Sequence, residues 1–84
     1  MYEIRFTPAA ARDIRSLPHD VARRVVRAIE KLAENPRPNG VRKIEGSDPL
    51  YRIRVGDYRI IYDIQDDELL VLVVRTRHRR DVYR

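Results

Sequence analysis

Residues 50–64 read LYRIRVGDYRIIYDI. In an extended chain successive side chains point to opposite sides, so Tyr51, Ile53 and Val55 share one side and Arg52 and Arg54 the other. Gly56-Asp57 is a tight-turn signal. Beyond it Tyr58, Ile60, Tyr62 and Ile64 alternate with Arg59, Ile61 and Asp63. A turn this short permits only an antiparallel pair. The stretch is therefore a hairpin with one apolar, Tyr-rich face and one face carrying Arg52, Arg54 and Arg59.

The rest of the chain builds outward from that hairpin. Gln65-Asp66-Asp67 is a second turn, and Leu69 to Val74 is apolar on both faces, which marks it as the central strand. Tyr2, Ile4 and Phe6 alternate with Glu3 and Arg5 in an opening strand. Thr7-Pro8 supplies an N-cap and a first helical position, and Ala10, Ile14 and Leu17 form the apolar stripe of a short helix ended by Pro18. A longer helix follows, with Val21, Val25, Ala28, Ile29 and Leu32 on one side and Arg23, Arg24, Arg27 and Lys31 on the other, until Asn35-Pro36 stops it. The two helices form an antiparallel hairpin over one sheet face, and the opening strand returns beside the central strand and parallel to it. Residues 35–49, NPRPNGVRKIEGSDP, read as one long irregular loop. The expected fold is α+β: a single domain over 1–84, with a small four-stranded, mostly antiparallel sheet and an N-terminal two-helix hairpin packed on one face.

Composition narrows the function. The chain has 84 residues and a net charge of +5, and sixteen of its 18 cations are Arg. Guanidinium groups suit bidentate phosphate contact and stack on bases. The C-terminal RTRHRRDVYR, residues 75–84, holds five Arg against one Asp. No Cys means no disulfide, zinc finger or thiolate nucleophile. The longest apolar run, six residues, cannot span a bilayer, and Met1-Tyr2-Glu3 does not open a signal peptide. The expectation is a soluble cytoplasmic protein without metal or cofactor: neither His19 nor His78 has a second histidine at ligand spacing, and no phosphate-cradling Gly loop occurs.

Three groups carry candidate chemistry. Arg52, Arg54 and Arg59 would form a basic floor on the open sheet face, able to clamp a phosphate and stabilise charge developing on its oxygens. The same row also fits a solvated face partly neutralised by Asp63 and Glu45. Tyr83 lies outside the alternation among cations, which favour its phenolate and suit it to a general base, or else it is a tail anchor. His78, among Arg77, Arg79 and Arg80, can exchange a proton, stack on a base, or simply face solvent.

With the order strand, Leu-Pro helical hairpin, basic Pro/Gly loop, YRIRVGDYRIIY and closing HRRDVYR, the sequence resembles the RelE/ParE superfamily of toxins over nearly its whole length, on the side of the RelE-type messenger RNA interferases. That resemblance implies a ribosome-dependent endoribonuclease that enters the 30S A site and cuts messenger RNA by 2′-OH attack on the adjacent phosphate. By the same resemblance Tyr83 would activate the 2′-OH and Arg59 would hold the scissile phosphate. Arg79, or Arg77 when the match is anchored on Asp-Val-Tyr, would assist the leaving oxygen, with His78 as a substitute acid or stacking group. Arg52, Arg54, Arg42 and Lys43 would bind the RNA backbone. The implied partner is a cognate antitoxin, in a heterodimer or heterotetramer. Two departures stand out. Arg77 replaces the Gly that many relatives carry before the His-Arg step, and the sequence stops one residue after Tyr83, without the extra terminal helix that antitoxins displace in some members. A ParE-like DNA gyrase inhibitor shares the fold and is the alternative, and a non-catalytic antitoxin-binding module is the third reading.

Overall fold

The computed structural model of the protein describes residues 1–46 and 49–80. Strand β1 (Glu3–Phe6) leads into helices α1 (Pro8–Arg15) and α2 (His19–Leu32), then strands β2 (Arg42–Ile44), β3 (Leu50–Val55), β4 (Tyr58–Gln65) and β5 (Leu70–His78). Thr7 caps α1 as its sequence predicts: its Oγ1 accepts the Ala10 N–H at 3.1 Å, with Pro8 at the first helical position. Pro18 sits in extended conformation at the entry to α2 and so separates the two helices.

The sheet order is β1-β5-β4-β3-β2, with β1 parallel to β5 and all other pairs antiparallel. The sheet thus has five strands rather than four. The added strand, β2, lies inside the stretch read as a loop and pairs Arg42 with Arg52, Lys43 with Tyr51 and Ile44 with Leu50. Three residues, two of them cations, between Pro/Gly-rich flanks carry no legible alternation; β3 is what makes them a strand. The apolar run is also displaced from its expected place. β5 is an interior strand, but β4 occupies the centre, and Leu69 belongs to the preceding turn with a left-handed φ of 51°. Between β4 and β5 that turn is one turn of 3₁₀ helix, Asp66–Glu68.

The helices cover one sheet face. Ala10, Val25, Ile29 and Leu32 meet Ile53, Ile60, Tyr62, Val71 and Val73 in a single buried cluster. This burial is the main source of stability for an α2 whose Val-rich sequence has modest intrinsic helix propensity.

β4 and β5 pair in two registers. Tyr62 through Gln65 face Val73 through Leu70, whereas Tyr58 through Ile61 face His78 through Arg75, so Val74 is an extra residue. Such a bulge exchanges the two faces of the strand beyond it. Val71 and Val73 point into the core, and the next inward side chain is Thr76 rather than Arg75.

Candidate nucleic-acid interface

The register places the arginines in two rows across the open face. One row runs Arg54, Arg59, Arg77 over β3, β4 and β5, each directly opposite the next. The other runs Arg42, Arg52, Ile61, Arg75 from β2 to β5. Gly40, Arg42, Arg52, Arg54 and Arg59 line a groove of about 340 Å³. Like charges placed directly opposite on neighbouring strands are unfavourable by roughly 0.2–1 kcal/mol per pair. A face built from such pairs suits an anion that relieves them.

Arg52, Arg54 and Arg59 are therefore brought together as their alternation predicts, and strand β2 adds Arg42 to them. Arg77 joins them through the bulge. Arg79 does not: its N–H donates to Asp57 O at 2.7 Å and its Nε stands 3.8 Å from Asp57 Oδ1, which holds it against the hairpin turn. Lys43, opposite Tyr51, points to the other side of the sheet from Arg42. His78 pairs with Tyr58, and so also lies on the opposite side from Arg59 and Arg77. Its ring meets the Tyr58 ring edge-on at 5.0 Å, and its Nδ1 accepts the Arg80 N–H at 3.1 Å. Tyr83 lies outside the described residues.

Two features of the site escape a reading by alternation. The first is Asp13 of α1. Its Oδ2 accepts Arg75 Nε at 2.8 Å and the Thr76 N–H at 2.9 Å, and its Oδ1 accepts Arg75 Nη2 at 3.2 Å. Partial burial pushes the Asp13 carboxyl up, but the Arg75 hydrogen bonds, the Thr76 N–H and the charges of Arg75 and Arg77 outweigh it and hold the group below the usual carboxylate range. The available signal was Asp13 as the one acid in α1; nothing in the apolar run Leu69 to Val74 marks the bulge. The second is Arg24 of α2, which lies over the hairpin turn. A Cβ on Gly56, already at φ +58°, would come within 3.1 Å of its Nη2.

The groove's outer rim is fixed from the far end of the sheet. Arg37 grips Asp66 with both terminal nitrogens, at 3.2 and 2.9 Å, and its guanidinium lies 5.3 Å from the centre of the Tyr51 ring. The Tyr2 hydroxyl donates to Asp66 Oδ1 at 2.6 Å. The buried Tyr62 hydroxyl donates to Pro36 O at 2.7 Å, and burial pushes that hydroxyl up to about 12. Hydrogen bonds from Arg37 and Tyr2 hold the Asp66 carboxyl below its usual range. These contacts pin residues 35–37 and so decide where Gly40 and Arg42 begin the groove. Gly40 and Arg54 also border a second groove, about 810 Å³, between α2 and β3. Its floor includes Ala28, Leu32 and Ile53, and Arg27 and Lys31 stand on its rim.

Comparison with known proteins matches this architecture. Residues 4–83 fit the family described as the ParE toxin of type II toxin-antitoxin systems, parDE. The chain is 36% identical to Toxin RelG of Mycobacterium tuberculosis, over 99% of this chain and 97% of that one. The fold superposes on an archaeal RelE–RelB complex from Pyrococcus horikoshii with a TM-score of 0.83, at 28% identity, covering 96% of this chain and 98% of that one. On the toxin–antitoxin complex RelBE2 of M. tuberculosis the TM-score is 0.81, at 29% identity, covering 92% and 96%.

Proposed function

The chain belongs to the RelE/ParE superfamily of toxins, on its RelE-type side, and from that premise we propose that it is a ribosome-dependent endoribonuclease that cuts messenger RNA in the A site. The observation that carries the reading is the Arg54–Arg59–Arg77 row, three arginines at directly opposite positions of neighbouring strands, the first two of which line the groove with Arg42 and Arg52.

In this reading the ribose 2′-oxygen forms a bond to the adjacent phosphorus as its proton passes to the Tyr83 phenolate, which becomes the neutral phenol. The P–O5′ bond then breaks, leaving a 2′,3′-cyclic phosphate and a 5′-hydroxyl. Arg59 holds the phosphate and stabilises the pentacovalent state. Of the two C-terminal arginines, Arg77 takes the place beside the leaving oxygen, because it stands across from Arg59 while Arg79 is held on Asp57. An arginine is too weak an acid to donate a proton, so Arg77 acts by charge and the 5′-oxygen is protonated by water or by a ribosomal group. Arg42, Arg52 and Arg54 track the RNA backbone. His78, on the far side of the sheet against Tyr58, has a structural part. The ribosome supplies what the site lacks by aligning the RNA for in-line attack.

The partner in this reading is a cognate antitoxin, in a heterodimer or heterotetramer, as relatives are found with antitoxins. The groove between α2 and β3, apolar below and basic at its rim, fits an amphipathic segment bearing carboxylates, and such a segment at Arg54 would reach the RNA groove as well. Among the described residues no helix is long and apolar enough to cross a membrane, and a ribosome-bound toxin works in the cytoplasm.

The test is primer extension on messenger RNA in a purified translation system, comparing wild type with Tyr83→Phe and Arg59→Ala. Cuts within the A-site codon that require the ribosome and fall sharply in both variants are expected. The matched family is described as the ParE toxin, which keeps a ParE-like inhibitor of DNA gyrase as the second reading. A wild type that cuts nothing yet blocks gyrase supercoiling would establish that reading instead.

A further inference from the structure

Arg77 reaches the basic face only because Val74 bulges, and the bulge lies where β5 has lost a neighbour. β1 ends at Phe6, paired with Val73, while β5 runs on to His78. Past that point α1 and its cap stand in for a strand. The Thr7 N–H donates to Val73 O at 3.0 Å and the Thr7 hydroxyl to Val74 O at 2.8 Å. Two residues further on, Asp13 takes the Thr76 N–H at 2.9 Å and the Arg75 fork at 2.8 and 3.2 Å.

We propose that Asp13 is a positioning residue for the basic face: its carboxylate locks the bulged end of β5 against α1 and so holds Arg77 opposite Arg59. Only an ionised acid accepts a backbone N–H and a guanidinium fork together at this strength. With its side chain 17% exposed, Asp13 works in surroundings that strengthen both contacts. A continuous register would pair Arg59 with Thr76 and turn Arg75 and Arg77 toward the helices, which the apolar pattern forbids. Loss of Asp13 therefore loosens residues 75–78 without converting them to another register. The consequence for RNA cleavage rests on the function proposed above; the consequence for the strand does not.

Two measurements on the full chain test it. In amide hydrogen exchange, Asp13→Asn is expected to strip protection from Thr76 and speed exchange over residues 75–78, with residues 70–73 unchanged. In ribosome-dependent cleavage, Asp13→Asn is expected to lower kcat about tenfold with little change in KM, since it misplaces a group without removing it. In an Arg77→Ala background the same substitution is expected to cost nothing more. Equal losses in both backgrounds, or unchanged protection at Thr76, overturn the proposal. Should Arg77→Ala cleave as well as wild type, the assignment of Arg77 fails, and the exchange measurement alone decides whether Asp13 locks the strand. Asp13→Glu, which keeps the charge, is expected to recover part of kcat.

Discussion

Replacing Arg54 by Gln should make the protein more stable and worse at binding RNA. Arg54 is exposed, lies directly opposite Arg59, and shares the groove with Arg42 and Arg52. Same-face positions in a sheet are about 5 Å apart when directly opposite and about 7–8 Å on the diagonal, so the mean over these three neighbours is about 7 Å. Two unit charges at that distance repel by roughly 0.6 kcal/mol in water, about half of which survives screening at physiological salt. Three such neighbours give about 1 kcal/mol, with little packing to lose because the side chain stands in solvent. For a domain of this size that corresponds to a rise in Tm of about 4–8 °C. The same substitution removes one phosphate contact, which should reduce the slope of log affinity for single-stranded RNA against log salt by about 0.7. Thermal melts at low and high salt, paired with RNA titrations over a salt series, measure both effects. The stability gain should shrink as salt rises. A variant no more stable than wild type at low salt, with an unchanged salt slope, would refute the argument that this face stores repulsion for an anion to relieve.

Other outcomes follow from the remaining contacts. Tyr62→Phe removes the hydroxyl bonded to Pro36 O and should cost about 1–2 kcal/mol in urea unfolding, the bond plus a stranded carbonyl; no loss would show that this bond does not hold the loop. The Tyr62 hydroxyl, at about 12 when folded against about 10 unfolded, favours the folded state fully below pH 10. That contribution should fade as pH rises toward 12, and at 295 nm Tyr62→Phe should remove one late-titrating phenol, leaving the Tyr2 hydroxyl, which its hydrogen bond to Asp66 also raises. Asp13 and Asp66 run the other way. Both are lowered on folding, so their stabilisation is complete above the unfolded value of about 3.9 and is lost as pH falls through the lower folded values. Acid melts should show Asp13→Asn and Asp66→Asn less sensitive to pH below 4 than wild type.

Local pattern decided much of this molecule. The hairpin at residues 51–64, the Thr7-Pro8 start of α1 and the break at Pro18 are written in short-range spacing, the parallel return of β1 follows from its helical crossover, and the structure keeps them all. Arg52, Arg54 and Arg59 share a face for the same reason: a strand's period of two needs no partner to be read. The fifth strand was hidden because Arg42–Ile44 is too short to show a period, and β3 alone gives it one.

Tertiary structure decided the C-terminal side of the site. Whether Arg77 or Thr76 meets Arg59, and on which side of the sheet His78 falls, depends on a single extra residue at Val74. Alternation carried straight through 69–78 points these side chains the wrong way. The bulged end is held by what lies against the open edge of β5, namely Thr7 and Asp13, which stand 67 and 62 residues away from Val74 and Arg75 along the chain. Strand periodicity is local and survives in the bare sequence. Where a bulge falls and how firmly the strand end beyond it is held are contact properties, decided only when the chain has folded back to bring distant residues against that end.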